Sequence, residues 1–349
     1  MIALFLVCLA AFTIASVIQE PPPKFGPFCG TPSPVYNNGT KATNWGDYIA
    51  EIETLNEDGS TDTWGAYGGP IPWPRTSEHE VVIPYCFTQA WDRRHIRNVV
   101  ATGMAKWVEY LGGPASQTSG HAISFRERAD AQGNPMYCAP PDNRDGWTAG
   151  MPKDTVAFEY TEDQSWGGSV GLTRNGRFWQ QLVHIADGYT LLGAMHELGH
   201  VLGMAHEHNR SDRDIYIQVN HKHLADWDKC WRRAHQHGGP YITPDNLCQS
   251  IHLAINYGCS CAAFVKNFVE PGWPIKADSR YDLDSIMHYP SQTGYSNQKC
   301  ISTGQDCPLA VYRNWNDHSQ GTRLLEQARR PSEMDLLWVK RTYPWKLES

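Results

Sequence analysis

The sequence has no run of basic residues: 30 Lys and Arg are scattered against 37 Asp and Glu, for a formal net charge of −7. Nucleic acid and anionic membrane surfaces need clustered cations to hold them, so neither is an expected partner. Charged residues make up only 19% of the 349, while 41% are hydrophobic, leaving ample apolar material for one sizeable core. Beyond the apolar start, no stretch is apolar enough to cross a bilayer, and no internal repeats occur. No cysteine lies between Cys138 and Cys230, and no Lys or Arg between Lys41 and Arg75.

What is present begins with a targeting pattern. Met1 to Ile18 is almost wholly apolar, and Thr13-Ile14-Ala15 offers small residues for a cut before Ser16, giving an expected signal at residues 1–15. No basic residue precedes the run, so an uncleaved anchor is the alternative, although the stretch is short for spanning. Residues 16–65 hold Pro21-Pro22-Pro23 and Thr31-Pro32-Ser33-Pro34, which build neither helix nor central strand. The main domain is expected over 66–349. Of the ten cysteines, losing Cys8 with the signal leaves nine, an odd count. An exported chain favours disulfides. Cys300 and Cys307 are expected to close a local loop, and the remaining pairing is not deducible.

The strongest signal is His196-Glu197-Leu198-Gly199-His200-Val201-Leu202-Gly203-Met204-Ala205-His206-Glu207, an HExxHxxGxxHE pattern. Apolar Leu192, Met195, Leu198 and Leu202 recur at helical intervals, with Asp187 or Thr190 available as N-cap. On such a helix His196 and His200 project from one face, one turn apart. Gly203 can end the helix in the left-handed conformation and turn the chain so that His206 returns as a third nitrogen. Three protein ligands leave an open zinc position, the mark of a catalytic site, with one Zn2+ expected per chain. Glu197, next to the first ligand, is placed to act on water as general base and then acid.

Elsewhere, Val81 to Phe87 reads as a strand and Ala90 to Tyr110 as an amphipathic helix with Ile96, Val99, Val100, Met104 and Trp107 inward. Ala122 to Arg128 and Thr155 to Tyr160 alternate like strands. These elements predict a mixed α+β amino-terminal half ending in the metal-binding helix.

Several segments resemble the astacin-type metalloendopeptidases, a metzincin family. His206-Glu207-His208-Asn209-Arg210-Ser211-Asp212-Arg213-Asp214 is similar to their HExxRxDRD extension. Tyr281-Asp282-Leu283-Asp284-Ser285-Ile286-Met287-His288-Tyr289 resembles their Met-turn, Pro331 to Tyr343 their closing helix, and Val81 to Tyr85 their first strand. The resemblance implies a two-subdomain metzincin fold, with a twisted mixed sheet, the zinc helix, and an irregular carboxy-terminal part bearing the Met-turn. It implies that His196, His200 and His206 bind zinc and that Met287 forms the floor beneath it. Tyr289 would hydrogen-bond the oxyanion, and Glu207 would anchor the mature amino terminus. Gly167 to Leu172 falls where the family places the strand that edges the cleft. Asn44-Trp45-Gly46-Asp47 resembles the FxGD motif of the propeptide, with Asp47 as latent zinc ligand and Asn44 departing from it. Cys230, Cys248, Cys259 and Cys261 fall in a segment near residues 226–262 that looks inserted before the Met-turn and is expected to border the cleft.

The expected function is therefore a secreted, extracellular zinc endopeptidase, a monomer acting on protein or peptide. The rival is a secreted non-catalytic protein that kept the zinc scaffold, opposed by the intact Glu197. A structural zinc site would need a fourth ligand, for which His208 is the nearby candidate. His221/His223 and His235/His237 could serve a second metal. Asn38-Gly39-Thr40 is a glycosylation sequon, and Asn209-Arg210-Ser211 another, expected to be buried.

Overall fold

A computed structural model describes residues 70–346, apart from 78, 163–165, 174–177, 189, 271–272 and 276–279. The expected signal, the Pro-rich segment with Asp47, the first sequon, Cys8 and Cys29 lie outside the described residues.

Strands β1 (Val81–Phe87), β2 (Ile123–Glu127), β3 (Val156–Thr161), β4 (Gly167–Gly168) and β5 (Leu182–Ala186) form one sheet in the order β2-β1-β3-β5-β4. Four of them run parallel, and β4 closes the edge antiparallel to β5. Parallel strands need both faces covered. Val81, Ile83 and Phe87 face a core that includes Trp107, Leu198 and Val201, while Cys86 on the other face packs with Cys138, Met151 and Trp179.

Helix α1 (Ala90–Tyr110) starts at a capping box in which the Gln89 side chain accepts from the N3 amide and Asp92 accepts from the Gln89 amide. Its face of Ile96, Val100, Met104 and Trp107 is buried, with Val99 at the margin. Trp107 Nε1 donates to Met195 O at 2.9 Å, tying α1 to helix α2 (Leu191–Leu202), the helix that carries the motif.

The carboxy-terminal part is less regular. A three-stranded antiparallel sheet of β6 (Ile217–Val219), β7 (Leu309–Tyr312) and β8 (Thr322–Arg323) stands beside α3 (Trp227–Gly238), α4 (Pro244–Gln249) and α5 (Ile251–Asn256). It has its own core around Leu247, Phe264, Tyr289 and Leu309. Disulfides Cys230–Cys259 and Cys248–Cys261 staple α3 and α4 to the turn after α5, Cys86–Cys138 secures the first half, and Cys300–Cys307 closes the expected local loop. Helix α6 (Glu333–Thr342) ends the fold, and its Tyr343 hydroxyl donates to Leu202 O at 2.6 Å. The α+β class and two-part build are as the sequence predicts. No helix among the described residues is long and apolar enough to cross a membrane.

Candidate active site

Between the two cores, α2 begins where the Thr190 side chain accepts from Gly193 N, which decides between the two N-cap candidates. It ends at Gly203, whose φ of 107° lies in the left-handed region open to glycine. The exit brings His206 Nε2 to 3.2 Å from His196 Nε2 and 3.1 Å from His200 Nε2. His196 Nδ1 donates to Ile286 O at 2.7 Å and His200 Nδ1 to Met204 O at 2.8 Å. A neutral imidazole that donates from Nδ1 presents a bare lone pair at Nε2. Lone pairs converging at this spacing repel one another unless a cation lies between them, so the donor set fits a zinc-type metal. Among the described residues no second group of three or more such side chains gathers, so the His221/His223 and His235/His237 pairs form no comparable site.

Burial keeps these imidazoles neutral, lowering His196 to about 4, His200 to about 3 and His206 well below the usual value. His221 and His288 are likewise lowered to about 4 by burial. A histidine held below its unfolded value contributes stability that is lost as pH falls from about 6.5 towards 4. Burial acts oppositely on Glu207, pushed up to about 7, and Asp335, pushed up to about 6, which favour folding as pH falls through those values. The histidines outnumber the carboxyls. The melting temperature of chelated protein is therefore expected to drop between pH 6.5 and 4, and a rise on acidification would contradict this balance.

Glu197 is 1% exposed on the same helix. The edge strand lies against it: a Cβ built on Gly168 would meet Glu197 Oε2 at 3.0 Å and His200 Cβ at 3.2 Å. The strand is shorter than predicted: Gly167 and Gly168 pair with β5, and the Ser169 amide adds one bond to Leu182 O at 3.0 Å. Gly171 (φ 58°) then turns the chain, and Leu172–Thr173 pairs with Pro70–Ile71 instead.

The Met-turn supports the cluster from below. Met287 is 1% exposed, and its Sδ would lie 2.4 Å from a Cβ on Gly199, so the turn and α2 meet in close contact at that glycine. Glu207 N donates to Met287 O at 3.1 Å. Tyr289 is 3% exposed, its ring centroid 4.7 Å from that of His206. Glu207, partly buried, accepts from Arg210 Nη1 at 3.1 Å and from Asp282 N at 2.8 Å.

His208 does not join the cluster as a fourth ligand, since its ring nitrogens face Ala263 O at 3.1 Å and Tyr289 N at 3.4 Å. Asn209 is 4% exposed, as expected for the second sequon, and donates to Ala263 O and Val265 O. One supporting residue was missed by sequence reasoning. Asp335, 3% exposed on α6, accepts from Ser285 Oγ at 2.7 Å and Ile286 N at 2.8 Å and so holds the Met-turn. Its sequence signal, Ser332 three residues before an acidic residue, identifies a helix cap and nothing more.

Residues 152–230, which span this helix and its exit, match the profile of the peptidase family described as Astacin. Over this stretch the chain is similar to the astacin family. Among the proteins it resembles, human tolloid-like protein 1 is 32% identical over 125 residues, 36% of this chain and 9% of that protein. Astacin-like metalloprotease toxin 4 of Loxosceles laeta is 40% identical over 68 residues, 18% of this chain and 58% of the toxin. The chain thus spans about a tenth of the tolloid-like protein and little more than half of the toxin. Among solved structures, high choriolytic enzyme 1, a hatching enzyme zinc-protease from Oryzias latipes, aligns with 80% of this chain and 96% of its own. The TM-score is 0.44 at 18% identity.

Proposed function

We propose that this chain is a secreted zinc endopeptidase of the astacin family that hydrolyses peptide bonds of extracellular proteins or peptides with water. The observation that carries the reading is the convergence of the His206 Nε2 atom with those of His196 and His200 on the helix that also bears the buried Glu197. His196, His200 and His206 would hold one zinc ion, which would supply the Lewis acidity that lowers the pKa of water to about 7 and polarises a carbonyl. Glu197 takes a proton from the attacking water and passes it to the leaving amine. The Tyr289 hydroxyl donates to the oxygen that gains negative charge, a contribution of about 3 kcal/mol in comparable sites. The edge at Gly167–Gly168 offers backbone groups to an extended substrate, which adds to it as an antiparallel strand. The four disulfides among the described residues accord with export.

The test is cleavage of a mixed peptide library by purified secreted protein, before and after chelation and after zinc is restored. Cleavage lost on chelation and recovered with zinc is expected. Zinc-loaded protein that cleaves nothing, even when shortened to begin at Pro70, would favour the non-catalytic scaffold.

Residues 16–65 are assigned the role of a zymogen segment, with Asp47 as the carboxylate that silences the site. The amino terminus of active protein is then expected downstream of Asp47, near the Gly-rich residues 65–69, at a non-tryptic cut. Amino-terminal sequencing of the active fraction decides this, and a terminus upstream of Asp47 removes the assignment.

A further inference from the structure

We infer that the disulfide-stapled insertion sets the position of Tyr289, and that His208 is the positioning residue that transmits it. The inference rests on the endopeptidase reading for the role of Tyr289, and on separate contacts for the linkage itself.

Cys230–Cys259 and Cys248–Cys261 fix the end of the insertion, and the turn Ser260–Phe264 begins between the two stapled cysteines. The three carbonyls that follow are all taken by residues just past the third imidazole ligand. Ala263 O accepts from His208 Nε2 at 3.1 Å, Val265 O accepts from Asn209 Nδ2 at 2.6 Å, and Phe264 O accepts from Arg213 Nη1. His208, Asn209 and Arg213 are 0%, 4% and 4% exposed, so water does not compete for these bonds.

The carbonyl also chooses the His208 tautomer. With Nε2 donating to Ala263 O, Nδ1 is left as an acceptor, and Tyr289 N points at it from 3.4 Å. The His208 ring stacks on the Tyr289 ring at 4.2 Å and 30°, and Phe264 meets the Tyr289 ring edge-on at 5.9 Å. The turn stapled by the insertion's disulfides thus reaches Tyr289 directly through Phe264 and indirectly through the imidazole that Ala263 orients. A hydrogen-bond donor works on developing charge only within a few tenths of an ångström of its place, and a displacement of about 1 Å can cost on the order of 100-fold in rate.

The test is a double-mutant cycle of His208→Leu and Tyr289→Phe, with Glu197→Gln confirming that the measured cleavage belongs to this site. His208→Leu is expected to lower kcat by about 10- to 100-fold with KM within about twofold and zinc content unchanged. In the Tyr289→Phe background the same change is expected to cost less than about twofold, because its effect passes through the tyrosine. Additive losses, or an unchanged kcat for His208→Leu, would overturn the inference. Should His208→Leu fold poorly, His208→Phe keeps the stacked ring and removes only the hydrogen bonds, and it is expected to lose kcat in the same non-additive way. His208→Gln, which restores a donor towards Ala263 O, is expected to recover part of the loss. A crystal structure of His208→Phe or His208→Leu gives a readout independent of turnover. A Tyr289 ring left where the wild type holds it sinks the inference even if the protein cleaves nothing, whereas absent cleavage with a displaced ring counts against the endopeptidase reading alone.

Discussion

Glu197→Gln is expected to lower kcat/KM by roughly 100- to 10,000-fold while zinc content and melting temperature stay near those of the wild type. Glutamine matches the carboxylate in shape, so the 1% exposed side chain keeps its place between α2 and the Gly168 edge. What it loses is the capacity to accept a proton and hand it on, which is worth about 3–5 kcal/mol at the transition state for a positioned base. The three imidazoles are untouched, and two of them are fixed by carbonyls of Ile286 and Met204 that the substitution does not reach. The loss is therefore expected in kcat with KM little changed. Cleavage at the wild-type rate would place the base elsewhere. Loss of zinc together with activity would make Glu197 part of the metal's hold, and circular dichroism with metal analysis separates these outcomes.

How far the sequence led depends on whether the signal was local. Strand Val81–Phe87 and helix Ala90–Tyr110 have the ends that the residue pattern predicts, because each carries its own periodicity and the helix its own cap. The imidazole cluster was legible for the same reason: one helix and its glycine exit place all three nitrogens, with no long-range contact needed to bring them together. The edge strand was read too long, since the apolar Val170 and Leu172 hide a turn at Gly171 that serves a second pairing with Pro70–Ile71. The links that hold the site from outside were invisible. Ala263 meets His208, and Asp335 meets Ser285, across sequence separations of 55 and 50 residues, and no local pattern encodes such contacts. The disulfide pairing of the insertion was closed to sequence reasoning because four cysteines allow three connectivities.

Asp335→Ala is expected to be the most destabilising single substitution at the site, because one carboxylate serves both the closing helix and the Met-turn. Its Oδ2 accepts from Ser332 N at 2.9 Å, completing the cap of α6, and from Ile286 N at 2.8 Å, while Oδ1 accepts from Ser285 Oγ. The same Ser285 Oγ accepts from Met287 N at 3.0 Å, and the Ile286 carbonyl receives the His196 Nδ1 proton. Alanine strands three donors in a site that is 3% exposed. Each buried unsatisfied group costs about 1–3 kcal/mol, and relaxation recovers part of it, so a loss of about 3 kcal/mol or more is expected. Calorimetry should show a melting temperature lower by on the order of 5–10 °C for a domain of this size. Because the freed Met-turn also orients His196, zinc affinity is expected to fall by about 10- to 100-fold, as when an outer partner of a metal-binding histidine is removed. Asp335→Asn separates packing from hydrogen bonding. It preserves volume but turns an amide towards at least one of the three donors, so it is expected to lose most of the same stability. Wild-type stability for the asparagine variant would mean that the carboxylate fills space and that the Met-turn is held by Met287 packing on Gly199 alone.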